Sequence, residues 1–158
     1  MGLFETWTRY LLTFAVARGS SDLSRRVPRA GRMALVTMVL AHRGASATHT
    51  ENTLDAFRAA RDQGAHGIEL DVRRTADGIL VIHHDALVDD GRAIGTTDYA
   101  DLPDHLPTLR ESLDVAEGLC VNIEVKNLPG DPDHAQAPVV VDEIVAMVTE
   151  RDLSLIHI

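Results

Sequence analysis

The stretch HGIELDVRR, residues 66–74, alternates with a period of two. Ile68, Leu70 and Val72 fall on one face, and Glu69 and Asp71 on the other, the pattern of a β-strand. Residues two apart on a strand are ~6.7 Å apart and project to the same side. Two carboxylates held so close repel each other unless positive charge sits between them. A hard divalent cation with oxygen ligands meets that need. A strand with one solvated face shows the same alternation.

The neighbouring segments extend the pattern. Asp77-Gly78 marks a turn, and Leu80–His84 reads as the returning strand. A two-residue turn there sets Asp71 opposite His84 in an antiparallel hairpin. His83 and His84 point to opposite faces, so this register favours His84 as the one beside the carboxylates. Upstream, Met38–Ala41 reads as a strand running into His42-Arg43-Gly44. Asn52–Gln63 reads as a helix capped by Asn52 and stopped by Gly64, with Leu54, Phe57 and Ala60 on one face. Downstream, Thr108–Glu117 reads as a helix closed by Gly118. Leu119–Lys126 reads as a strand with Val121, Ile123 and Val125 on one face and Asn122, Glu124 and Lys126 on the other. Pro138–Arg151 reads as a helix and Leu153–Ile158 as a last strand.

Strands alternating with helices predict an α/β fold with a largely parallel sheet. An open doubly wound sheet keeps both strand faces mostly apolar. Here two strands carry Glu/Asp and Asn/Glu/Lys on one face, which suits a barrel whose interior opens toward a site at the strand C-termini. A full (β/α)₈ barrel needs about 250 residues. The 158 residues therefore predict a TIM-like (β/α) barrel truncated after about four or five strands.

Composition bounds the function. The chain is 45% apolar and 25% charged, enough for one domain with a real core. The single Cys120 excludes a disulfide framework within the chain and any multi-cysteine metal knuckle. No apolar run approaches the ~20 residues of a membrane span. A net charge of −9 argues against nucleic acid as a partner. The charge is uneven: residues 1–37 hold six Arg against Glu5 and Asp22, a surplus of +4, which leaves −13 for residues 38–158. An acidic domain that handles an anion needs a metal or a few placed cations.

Residues 1–37 read as an N-terminal extension, either unstructured or preceding the true start at Met33 or Met38, and residues 38–158 as the domain. The apolar run Tyr10–Ala17 precedes the Arg-rich stretch Arg18–Arg32, the reverse of a secretory signal, so the expected location is cytoplasmic. An amphipathic membrane-surface helix over Leu3–Val16 is the alternative.

Several side chains could do chemistry. His42 stands where a strand ends, the position that barrel enzymes give to catalytic groups, and imidazole exchanges protons near neutral pH. Arg43 offers a fork that matches phosphate oxygens. Glu124 and Lys126 repeat the two-residue spacing on another strand. Lys126 is the only lysine, against 14 Arg, which suits a compact charge placed beside a phosphate.

In order and spacing these segments resemble the glycerophosphodiester phosphodiesterases, within the superfamily of phosphatidylinositol-specific phospholipase C-like phosphodiesterases. The likeness covers about Val39 to Lys126. It runs through HRG (42–44), ENT (51–53) with Ala56-Phe57, GAHGIELDV (64–72), T-x-D-G (75–78), HD (84–85), P-T-L-x-E (107–111) and E-x-K (124–126). The resemblance implies a TIM-like barrel, a divalent metal (Mg²⁺ or Ca²⁺), and hydrolysis of small-molecule glycerophosphodiesters to an alcohol and glycerol 3-phosphate. Carried over by position, Glu69, Asp71 and Glu124 would hold the metal. His42 and His84 would be general acid and base, in either order. Arg43 and Lys126 would hold the phosphate, and Glu51 and Asn52 would line the site. Thr50 stands where the family has Pro before ENT, which loosens that loop.

The resemblance ends in mid-barrel. The terminal LSLIHI (153–158) looks like a translated sequencing adapter, so the expectation is a truncated reading frame, poorly soluble or oligomeric and weakly active. The competing readings are a lipid phosphodiesterase of the phospholipase D or sphingomyelinase D type, and an inactive metal- or phosphate-binding fragment. The oligomeric state stays open.

Overall fold

The computed structural model describes residues 13–18, 38–126, 128, 130–134 and 137–157. Its elements in chain order are β1 (Thr13–Arg18), β2 (Leu40–His42), α1 (Leu54–Asp62), β3 (Gly67–Arg74), β4 (Leu80–Ile82), α2 (Leu109–Val115), β5 (Cys120–Val125), α3 (Ala137–Glu150) and β6 (Leu153–His157), with single 3₁₀ turns at Ile94–Thr96 and Tyr99–Asp101. The strands form one mixed sheet in the order β2-β3-β5-β1-β6, with β4 paired to β3.

The parallel part of this sheet is the partial barrel. β2 pairs parallel with the first half of β3, placing His42 beside Glu69. β5 pairs parallel along the other edge of β3, placing Glu69 beside Asn122 and Asp71 beside Glu124. Neighbouring strands lie about 4.8 Å apart, so this register alone brings the acidic residues of two strands within reach of each other.

The opposite face of the same strands builds the core. Ile68, Leu70 and Val72 of β3 and Val121, Ile123 and Val125 of β5 are buried against Phe57 and Ala60 of α1, Leu109 and Leu113 of α2, and Val140, Ile144 and Val148 of α3. Apart from Ala60, each such side chain contributes roughly 1.5–3 kcal/mol on burial. A smaller cluster of Val81, Val88, Ile94, Leu102 and Leu106 packs beneath the connection from β4 to α2.

The hairpin differs from its sequence reading by one residue. β3 and β4 pair Val72 with Ile82, Arg73 with Val81 and Arg74 with Leu80. The loop has three residues, because Thr75 pairs with Ile79 (N to O 3.0 Å) and Gly78 takes a positive φ of 90°. Gly supplies that left-handed conformation at little cost. The shift sets His83, not His84, opposite Asp71: the His83 N–H donates to the Asp71 carbonyl at 3.0 Å. β4 also ends at Ile82, short of both histidines.

α1 is likewise shorter than expected. Its N-cap is Thr53, whose hydroxyl accepts from the Ala56 N–H at 3.2 Å, and not Asn52. α2 begins as expected at Thr108, with a reciprocal capping box to Glu111.

Within the N-terminal extension, Thr13–Arg18 is a strand and neither helical nor unstructured. It inserts antiparallel between β5 and β6. The rest of the extension lies outside the described residues. Among those described, no helix is long and apolar enough to cross a membrane.

Candidate active site

On the polar face of the sheet, Glu69, Asp71 and Glu124 each present a carboxylate oxygen within 4.8 Å of the others. Asp71 is fully buried and Glu69 is 6% exposed. A solvated strand face is thereby excluded, since ionised carboxylates are expensive to bury unless compensated.

The compensation comes from four neighbours. Lys126 Nζ lies 2.8 Å from Asp71 Oδ1 and 2.6 Å from Glu124 Oε1. Arg43 Nε lies 3.2 Å from Asp71 Oδ2, and its Nη1 is 2.9 Å from Glu51 Oε1. The Arg43 main-chain N–H donates to Glu69 Oε2 at 2.9 Å. Asn52 Nδ2 donates to Asp71 Oδ2 at 2.7 Å. His42 Nε2 sits 3.9 Å from Glu69 Oε2, with its ring mostly exposed. Burial, and next the charge of Asp71, push the Glu69 carboxyl above its usual range.

The loop after β2 carries backbone strain at two of these positions. Arg43 and Asn52 have φ of 57° and 56°, the left-handed region that costs most non-glycine residues about 1–2 kcal/mol. They are joined by Asn52 N–H donating to the Arg43 carbonyl at 3.0 Å. Gly44 is required for a different reason: at φ 80° a Cβ there would come within 2.8 Å of the Ala56 backbone. The loop thus wraps tightly onto α1 and turns the Arg43 and Asn52 side chains onto Asp71.

The residues present suit a divalent cation. Glu69 Oε1 and Asn52 Oδ1 are buried and accept no hydrogen bond. Buried polar atoms are normally satisfied, so these orphaned oxygens beside three carboxylates form a hard-oxygen donor set of the kind that Mg²⁺ and Ca²⁺ take.

The structure does not bring every expected residue into this cluster. His84 directs Nδ1 to Asp85 Oδ1 at 2.6 Å, a bond that holds the Asp85 carboxyl below its usual range. Its carbonyl accepts from the Arg73 guanidinium. His83 is engaged with the Leu87 carbonyl at 3.3 Å, and burial lowers its pKa.

The chain resembles known proteins in sequence and in fold. Residues 42–154 match the model of the glycerophosphoryl diester phosphodiesterase family. The chain belongs to that family. The glycerophosphodiester phosphodiesterase of Caldanaerobacter subterraneus subsp. tengcongensis is 57% identical over 53 residues, covering 34% of this chain and 22% of its own. Glycerophosphodiester phosphodiesterase 1 of Rattus norvegicus is 38% identical over 119 residues, covering 62% and 35%. Among solved structures, an Oleispira antarctica phosphodiesterase in complex with the product sn-glycerol-3-phosphate matches with TM-score 0.60 and 30% identity, over 70% of this chain and 52% of that one. The Thermotoga maritima glycerophosphodiester phosphodiesterase matches with TM-score 0.56 and 30% identity, over 68% and 50%. The chain spans about half the length of these structures and a smaller share of the curated relatives.

Family membership settles the partial TIM-barrel architecture. The register sets His83, not His84, opposite Asp71, so the pairing argument for His84 does not hold, and its expected role rests on the HD pair at 84–85 alone. Sequence reasoning overlooked Arg73, Asp131 and Asp133. Arg73 lies four residues after Glu69 and two after Asp71, on the same polar face of β3, and that periodicity was the available signal.

Proposed function

We propose that the chain carries the metal- and phosphate-facing half of a centre that hydrolyses glycerophosphodiesters to an alcohol and glycerol 3-phosphate. The observation that carries this reading is the convergence of three carboxylates with Arg43 and Lys126 on one buried strand face.

In this reading Glu69, Asp71 and Glu124 hold Mg²⁺ or Ca²⁺, which when bound neutralises phosphoryl charge and polarises the P–O bonds. Arg43 and Lys126 hold the phosphate oxygens, the first as a fork and the second as a point charge. Glu51 orients Arg43, and Asn52 orients Asp71. One imidazole, of His42 or His84, takes the proton from the attacking hydroxyl, either water or a neighbouring glycerol hydroxyl. As the bond from phosphorus to the alcohol oxygen breaks, the other imidazole gives that oxygen a proton; attack by water gives glycerol 3-phosphate directly, and attack by the glycerol hydroxyl gives a cyclic phosphate that water then opens to it. The Oleispira relative, named for its complex with sn-glycerol-3-phosphate, supports this product.

The test is to incubate the full chain with glycerophosphocholine and Mg²⁺ or Ca²⁺ and assay glycerol 3-phosphate. Turnover abolished by chelator and by Asp71→Asn is the expected result. Failure of both metals to bind in calorimetry refutes the reading. Because the chain covers about half of its solved relatives, metal binding without turnover selects a binding role for these residues in isolation.

A further inference from the structure

Arg73 is 2% exposed, yet neither the carboxylate cluster nor the apolar core uses it. Its guanidinium makes five hydrogen bonds. Nε and Nη2 donate to the His84 carbonyl at 3.0 and 2.8 Å. Nη1 donates to both oxygens of Asp133 at 2.9 Å, and Nη2 to Asp131 Oδ2 at 3.0 Å. Asp133 is itself 5% exposed. One side chain from the end of β3 therefore ties His84, two residues past β4, to the segment following β5.

Packing alone does not account for this. Burying a guanidinium with its carboxylates carries a large desolvation cost, and an apolar residue of similar volume often stabilises as well or better. What an apolar residue cannot do is hold a carbonyl at a fixed point. Two converging N–H bonds on the His84 carbonyl fix the main chain from which the imidazole projects. The bond from His84 Nδ1 to Asp85 then fixes the ring, leaving Nε2 as the nitrogen available to exchange a proton.

We propose that Arg73, braced by Asp131 and Asp133, is the positioning residue for His84. This rests on the reading of His84 as a proton-transfer group. Arg73 itself touches no substrate; it acts through the His84 main chain.

The test uses the full chain with Mg²⁺ or Ca²⁺ and glycerophosphocholine, as wild type, Arg73→Lys, Asp133→Asn, His84→Ala and the Arg73→Lys/His84→Ala pair. The His84 ring signal is followed by NMR of ¹⁵N-histidine protein and assigned by its loss in His84→Ala. Lysine keeps the charge but cannot fork. Arg73→Lys is expected to bind metal within about threefold of wild type, to lose kcat by about 10- to 100-fold at near-constant KM, and to broaden or split the His84 signal. Asp133→Asn does the same to a smaller degree. Adding Arg73→Lys to His84→Ala costs no further factor, because the group being positioned is already gone.

An unchanged His84 signal in a folded Arg73→Lys protein overturns the proposal, as does a double-variant loss equal to the product of the single losses. Should Arg73→Lys not fold, Asp133→Asn is judged by the same signal, which also decides the matter in a chain without turnover. If His84→Ala keeps full turnover, the assignment of His84 to proton transfer fails, while the ring signal still judges Arg73.

Discussion

The two faces of β3 are buried almost equally and do opposite things. Ile68, Leu70 and Val72 are fully buried against the helices, while Asp71, Arg73 and Glu69 are 0%, 2% and 6% exposed on the other side. The first face returns free energy on folding. The second consumes it, because charges are removed from water and then repaired by Lys126, Arg43 and Asn52. Equal burial with opposite energetic sign separates the part of the strand that makes the fold from the part that makes the site.

The largest effects should come from dividing the faces. Leu70→Ala should lower stability by about 2–5 kcal/mol through transfer and cavity costs, seen as a lower urea midpoint, while the folded fraction keeps its metal affinity. Asp71→Asn should weaken metal binding at least about 100-fold in calorimetry, since losing even a residue that orients a ligand costs 10- to 100-fold. Loss of metal affinity in Leu70→Ala would break the comparison. Gly44→Ala should cost about 1–2 kcal/mol through its left-handed φ, with more from contact with Ala56, and should disturb both faces because that loop is seated on α1. Asn52→Gly keeps the backbone conformation and removes the amide, so metal affinity should fall about tenfold, and the metal-free melting temperature should fall because buried Asp71 loses a hydrogen bond.

The smallest effect concerns pH. Glu69 has its folded-state pKa raised above the unfolded value, first by burial. Its contribution to metal-free stability is thus complete below the unfolded carboxyl range and is lost as pH rises through the folded pKa. Glu69→Gln in chelator should flatten that loss of stability between acid and neutral pH. An unchanged pH slope in urea titrations would remove Glu69 from the energetic account.

Alternation in residues 66–74 and 119–126 made both faces legible, because a period of two leaves no freedom in which side chains share a side. The family likeness implied that Glu69, Asp71 and Glu124 meet at one metal, whereas the pairing of β3 with β5 that sets Asp71 beside Glu124 was legible in neither strand. The hairpin register was misread because Asp-Gly serves two-residue and three-residue loops alike. Here Thr75 decides, its hydroxyl bonding both the Asp77 carboxylate and the Ile79 N–H. Asn52 and Thr53 are both good N-caps, and only the demand of Asp71 for the Asn52 amide assigns the cap to Thr53. The Arg73 network joins residues 58 and 60 positions apart, a separation that no local pattern reports.

The strand ahead of the family-matching segment has a consequence for where the polypeptide can be cut. β1 separates β5 from β6 and hydrogen-bonds to both, so it serves as a splice between two strands that run the same way. A version beginning at Met38 would leave the far border of β5 bare and β6 without its neighbour in the sheet. Exposed borders of that kind recruit other chains, so such a shortened polypeptide should self-associate more readily than the parent.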